Sequence, residues 1–207
     1  MMRLLAIAAT LFFAAGAGAA DAVAPDLLVK NVTTEVLDIV RNDKDIRNGN
    51  SQKTLDLVET KVLPHFDFVR MTRLALGREG RQAAPEQVNR LAEEFRTLLV
   101  RTYSKALTEY RDQKIMFRPF SMKPEETDVR VKTEIRQTGG KPIAMDYYLE
   151  KTPAGWKVYD MEVGGVSLVT NYRSSFAQEI RAAGIDGLIR SLQEKNRSGE
   201  AVPAKGK

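Results

Sequence analysis

His65 is the sole histidine in a chain of 207 residues that has no cysteine. An imidazole acting as base or metal ligand needs partners. The neighbours of His65 are Pro64, Phe66 and Asp67, with no second histidine or thiol, so it reads as a polar residue beside a helix start. Asp160 and Glu162 stand two apart in a strand-like stretch, which puts both carboxylates on one side. That arrangement suits an acid–base pair and suits a solvated strand face equally well. Glu93-Glu94 falls on the polar side of a helical pattern. Ser167 and Ser174 lack the Gly-x-Ser-x-Gly elbow of hydrolases, and no phosphate loop or dinucleotide fingerprint occurs. The absence of cysteine removes disulfides, thiolate metal sites and cysteine nucleophiles. What remains is apolar: Phe66, Phe68, Met71, Leu74, Leu99, Tyr103, Leu107, Ile143, Met145, Tyr147 and Val169. Such residues build either an ordinary core or the wall of a cavity.

These residues are positioned around one joint. Gly155 to Val163 alternates as a strand, Gly164-Gly165 breaks it, and Ser167 stands where a helix N-cap is expected. Leu168, Tyr172, Phe176 and Ile180 then recur every four residues, a helix stripe. Upstream, Leu28 to Val40 forms a first helical stripe. Ser51 is placed to cap a second helix, and Pro64 redirects the chain. Asp67 caps a short helix that Gly77 closes. Pro85 opens a long helix whose stripe runs from Val88 to Tyr110, about seven turns. The period then changes from 3.6 to 2. Ile115 and Phe117 begin a sheet; Val129 to Ile135 and Ile143 to Leu149 alternate, with turns at Thr138-Gly139-Gly140-Lys141 and at Thr152 to Gly155. Helices flanking an antiparallel meander predict an α+β layer fold with one apolar and one wet sheet face.

The N-terminus reads as a secretory signal over residues 1–20. Arg3 is its positive region, Leu4 to Ala15 its apolar run and Ala17-Gly18-Ala19 its cleavage box. The expected mature chain begins at Ala20 or Asp21. Residues 21–196 form one domain, and 197–207 a frayed tail without apolar periodicity. The net charge of +5, less Arg3, leaves +4. A basic balance suits acidic headgroups or an acidic partner as well as plain solubility, and export disfavours nucleic acid.

Several stretches carry a resemblance. Trp156-Lys157-Val158-Tyr159-Asp160, Gly165-Val166-Ser167-Leu168-Val169 and Asn171-Tyr172-Arg173 with Phe176 resemble the signature of the MlaC family. Pro64 to Thr72 followed by Leu76-Gly77, Phe95 to Tyr103, and Gly184-Ile185-Asp186-Gly187-Leu188 match in the family's order. The chain departs at Arg81-Gln82-Ala83-Ala84-Pro85, where many members have an aromatic. The resemblance implies a periplasmic phospholipid carrier of the Mla lipid-asymmetry system, not an enzyme. Its sheet and helices enclose an apolar pocket lined by the eleven residues above, with no cofactor beyond the lipid cargo. It also implies an outer-membrane lipoprotein–porin complex and an inner-membrane ABC-type transporter with a ring subunit as partners, and a monomer in the periplasm. Arg130, Lys132, Lys141, Arg101 and Lys105 are the expected docking cations. An exported α+β pocket enzyme and a membrane-protein chaperone are the competing readings. An enzyme calls for convergent polar groups in the pocket, and a chaperone for a long exposed apolar surface.

Overall fold

The structure, a computed structural model, describes residues 23–111 and 113–198. The expected signal peptide at 1–20 and residues 199–207 of the expected tail lie outside them. Pro25 opens α1 (Pro25–Asn42), because a first-turn proline lacks only an amide that has no helical partner. Asp43 caps α2 (Lys44–Arg47), accepting from the amides of Asp45 and Ile46. The cap of α3 (Ser51–Leu57) is Asn50 rather than the expected Ser51: the Asn50 side chain accepts from the Lys53 amide at 3.1 Å, and Ser51 is already helical. The helix widens into a π turn at Val58–Val62, then tightens into a 3-10 turn at Leu63–His65 that contains Pro64.

Asp67 caps α4 (Phe68–Leu76) as expected, accepting from the Arg70 amide at 2.8 Å, and Gly77 ends it. Pro85 opens α5 (Pro85–Tyr103), where the Gln87 side chain turns back to accept from the Ala84 amide at 3.1 Å. The expected long helix does not reach Tyr110. It stops at Tyr103, and after Ser104 a short α6 (Lys105–Thr108) turns toward α2 and α3. Leu107 and Tyr110 are drawn into the apolar cluster of α1 and α3, away from the face of Leu99. Burial against a second cluster overrides the continuous helical pattern.

The sheet comprises β1 (Lys114–Phe117), β2 (Asp128–Arg136), β3 (Ile143–Thr152), β4 (Gly155–Val163) and β5 (Val166–Ser167), antiparallel neighbours in chain order. The meander is the expected one, with β5 added to it. Gly164 and Gly165 make the two-residue turn between β4 and β5 at φ 59° and 85°, a hairpin geometry that needs left-handed backbone at both positions. The Ser167 hydroxyl accepts from the Thr170 amide at 3.0 Å. Ser167 is not the expected helix N-cap, however: it ends β5, and Val169 precedes the 3-10 turn (Thr170–Tyr172) that runs into α7 (Arg173–Ser198). That last helix bends at Gly184, whose φ of 70° a side chain would strain. It also carries Arg197 and Ser198, which the sequence placed in the tail.

Among the described residues three apolar clusters result. One joins α4, α5 and α7 around Phe95, Leu91 and Leu188, each fully buried. A second lies between α1 and the sheet: Val29 against Val129, Val131, Tyr147, Leu149, Trp156 and Val158. The third fills the corner of α1, α2 and α3 with Val40, Ile46, Leu57 and Tyr110.

Candidate functional site

Among the described residues, Phe66 alone packs against both the helical cluster and the sheet cluster. Backbone pairing puts it there. Phe66 bridges Val158 in parallel fashion, and the Asp67 amide donates to the Val158 carbonyl at 2.9 Å. Its ring stacks on Phe68 at 5.9 Å between centroids. On the sheet side, Leu28 of α1 and Phe117, Phe120, Met122, Met145 and Met161 are only half-buried. The principal partners of α5 are α4 and α7, not the strands. An apolar seam therefore runs between the inner sheet face and the helices, with Phe66 across it. Long unbranched methionines suit such a surface, since they repack at low cost.

Ten of the eleven expected lining residues fall in the three clusters. Met71, Leu99 and Val169 are buried inside the helical cluster, with Phe68, Leu74 and Tyr103 half-buried against it. Tyr147 is in the sheet cluster with Met145 beside it, while Leu107 is in the corner cluster. Ile143 stands 37% exposed at the start of β3. Phe66 is the one that links two groups. Burial pushes the Tyr147 phenol up to about 12 and raises that of Tyr103 further. Both stay neutral and compatible with an apolar ligand.

The polar groups are committed to structure. The Asp160 carboxylate accepts from the amides of Met161 and Val169 at 2.8 and 3.2 Å and from the Ser167 hydroxyl at 2.6 Å. It pins the glycine turn; burial raises its pKa, and those three donors oppose the rise. Glu162 instead accepts from Tyr148 at 2.7 Å and from Arg130 at 3.5 Å. The two carboxylates share a strand side as expected but are tied to different partners. His65 is half-buried near Lys157, whose ammonium donates to the Pro64 carbonyl at 2.5 Å.

A clamp that the sequence did not suggest ties α4 to the start of β2 and the end of β3, on the sheet face opposite Val129 and Leu149. Arg70 of α4 bonds Glu150 of β3 at 2.5 Å and Asp128 of β2 at 2.6 Å. Its guanidinium lies 3.4 Å from the centre of the Tyr159 ring, and the Tyr159 hydroxyl donates to Asp128 at 2.6 Å. Those residues are 58 and 80 positions from Arg70, so no local spacing announces them. Tyr159 reaches them from the β3–β4 register shift beside Tyr148 and Leu149, as bulges re-aim side chains.

The wet sheet face is also more neutral than its residue types suggested. Arg130 is held by Asp146 at 2.6 Å, and Arg118 and Arg136 both engage Glu134. Lys132 and Lys141 are exposed there, as is Arg101 on α5. Lys105 pairs with Glu109 at 3.6 Å, and the break at Ser104 separates it from the helix of Arg101.

The profile of the MlaC protein family matches residues 30–194. The toluene tolerance protein ttg2D of Pseudomonas putida is 26% identical over 190 residues, 87% of each chain. The intermembrane phospholipid transport system binding protein MlaC of Haemophilus influenzae is 27% identical over 161 residues, 76% of this chain and 74% of its own. A crystal structure of the phospholipid-binding protein from Ralstonia solanacearum, in complex with a phospholipid, superposes with a TM-score of 0.76. It is 39% identical and covers 84% of this chain and 97% of its own.

Proposed function

The chain belongs to the MlaC family, and from that premise we propose that it is a periplasmic shuttle for diacyl phospholipid. The cargo's acyl chains occupy the seam between the inner sheet face and the helices. Phe66, tied to β4 and packed on both sides, is the observation that carries this reading. The likeness to a relative that holds a phospholipid supports it.

The physics of such a task explains the residue types. Each methylene in water costs about 0.8 kcal/mol, so exposing two acyl chains costs on the order of 20 kcal/mol. The carrier must cover the chains fully, and apolar contact, being non-directional, tolerates mixed chain lengths. The headgroup stays at the mouth in water. Release into water is prohibitive, so unloading needs contact with another apolar acceptor. The acceptors in this reading are an outer-membrane lipoprotein–porin complex and an inner-membrane ABC-type transporter with its ring subunit. Such a shuttle helps keep the outer membrane's lipid asymmetry, and works as a monomer after loss of residues 1–20. Exposed Lys132, Lys141 and Arg101 are the cations left to steer docking, with Arg130 and Lys105 already paired.

The test is mass spectrometry of organic extracts from natively purified protein. Diacyl phospholipid of mixed chain composition, well above that of a control periplasmic protein, is expected. Extracts matching the control would sink the reading.

A further inference from the structure

Away from the seam, at the corner where α1, α2 and the segment after α6 meet, two grooves of about 320 and 410 Å³ share Arg47 and Arg111 as walls. Lys44 and Asn48 line one, and Arg41 and Tyr110 the other. Among the described residues no carboxylate lines either. We propose that this double groove is a binding site for a phosphate-bearing anion.

Two of its cations are held in place with donors to spare. Arg41 donates from Nε and Nη2 to the Tyr110 hydroxyl at 3.1 and 2.5 Å, and lies over that ring. The Tyr110 hydroxyl is itself fixed by donating to the Gln113 carbonyl at 2.7 Å. Arg111 uses Nη1 on the carbonyls of Thr108 and Tyr110, at 2.6 and 2.8 Å. Its Nε and Nη2 are not engaged by the described residues. Lys44 and Arg47 enter no side-chain bond or ion pair with a described residue. Of the described acids nearby, Asp43 and Asp45 pair with Lys53 at 3.3 and 2.7 Å, and Asp38 with Arg41 at 3.4 Å. Lys44, Arg47 and Arg111, which have no acid partner among the described residues, repel one another across the concavity unless an anion sits among them, with Arg41 beside them already paired to Asp38. A planar guanidinium offers paired donors that match phosphate oxygens. The groove volume falls in the range of small-ligand sites. The same phosphate chemistry is offered by a lipid headgroup at a membrane surface and by a soluble phosphate ester. The site does not depend on what fills the seam.

The experiment titrates the mature chain with two probes. One is glycerol phosphate in solution, followed by calorimetry. The other is phosphatidylcholine vesicles with and without phosphatidylglycerol, followed by co-sedimentation. The double variant Lys44→Glu, Arg47→Glu is compared with Lys123→Glu, Lys151→Glu, which makes the same charge change at exposed positions elsewhere. Circular dichroism confirms that each folds. Loss of charge-assisted bonds predicts roughly tenfold or weaker binding for the groove variant, with little change for the control pair. Loss with both probes means that the groove accepts phosphate from either source. Loss with the vesicles alone identifies a lipid surface, and loss with glycerol phosphate alone a soluble ester. The proposal is overturned if the unmutated chain binds neither probe, if the groove variant binds both as tightly as before, or if the control pair loses as much.

Discussion

The helical cluster and the sheet seam are built from similar residues and packed in different ways. In the cluster of α4, α5 and α7, Phe95 meets Tyr172 and Phe176 edge-on at 5.2 Å each, and Val88, Leu91, Leu188 and Ile189 are 0% exposed. In the seam, Phe117, Phe120, Met122, Met145 and Met161 remain half-buried against the sheet. A close-packed interior resists any change of volume. A half-covered apolar surface can accept a guest by moving flexible side chains aside. In the proposed reading the first region holds the fold and the second takes the ligand, which predicts that the same kind of mutation has opposite consequences in the two.

The largest effect is expected at Phe95. Phe95→Ala leaves a cavity beside the rings of Tyr172 and Phe176 and should cost about 3–5 kcal/mol, read as a fall in the denaturation midpoint, while the remaining folded protein keeps its lipid. Lost lipid with unchanged stability would erase the distinction between the regions.

Overpacking sharpens the contrast. Leu99 is 7% exposed within the helical cluster, so Leu99→Trp should destabilise by about 1–3 kcal/mol. Met161→Trp in the seam should cost less than this in thermal melts and lower the lipid recovered in extracts more. The opposite ranking would place the ligand space beside Leu99.

The smallest effect concerns pH. Burial, then Lys157, depresses the His65 pKa below its ordinary 6.5, with Glu35 in partial opposition. The folded state therefore binds fewer protons than the unfolded chain between that depressed value and 6.5. The contribution from neutral His65 is full above 6.5 and is lost as pH falls through this window. Because there is no other histidine, His65→Gln should flatten stability-versus-pH curves there by a small margin. Superimposable curves would mean that His65 is solvated alike in both states.

The sequence by itself determined the local elements and their order. Period 3.6 and period 2 marked the helices and strands. Asp67 and Pro85 set helix starts, and Gly164-Gly165 set the turn, because capping and left-handed backbone depend on residues only a few positions apart. The motifs from Pro64 to Leu188 carried the family. Only the tertiary structure decided the rest. The helical stripe through Leu107 and Tyr110 was read as one face with Leu99, yet burial against α1 and α3 breaks it at Ser104. The cations on β2 looked free, yet the register of β3 and β4 sets Asp146 and Glu162 around Arg130. The Arg70 clamp and the basic groove join residues tens of positions apart. A sequence records which charges and apolar surfaces exist. Which of them meet depends on chain folding over distances that carry no local signature.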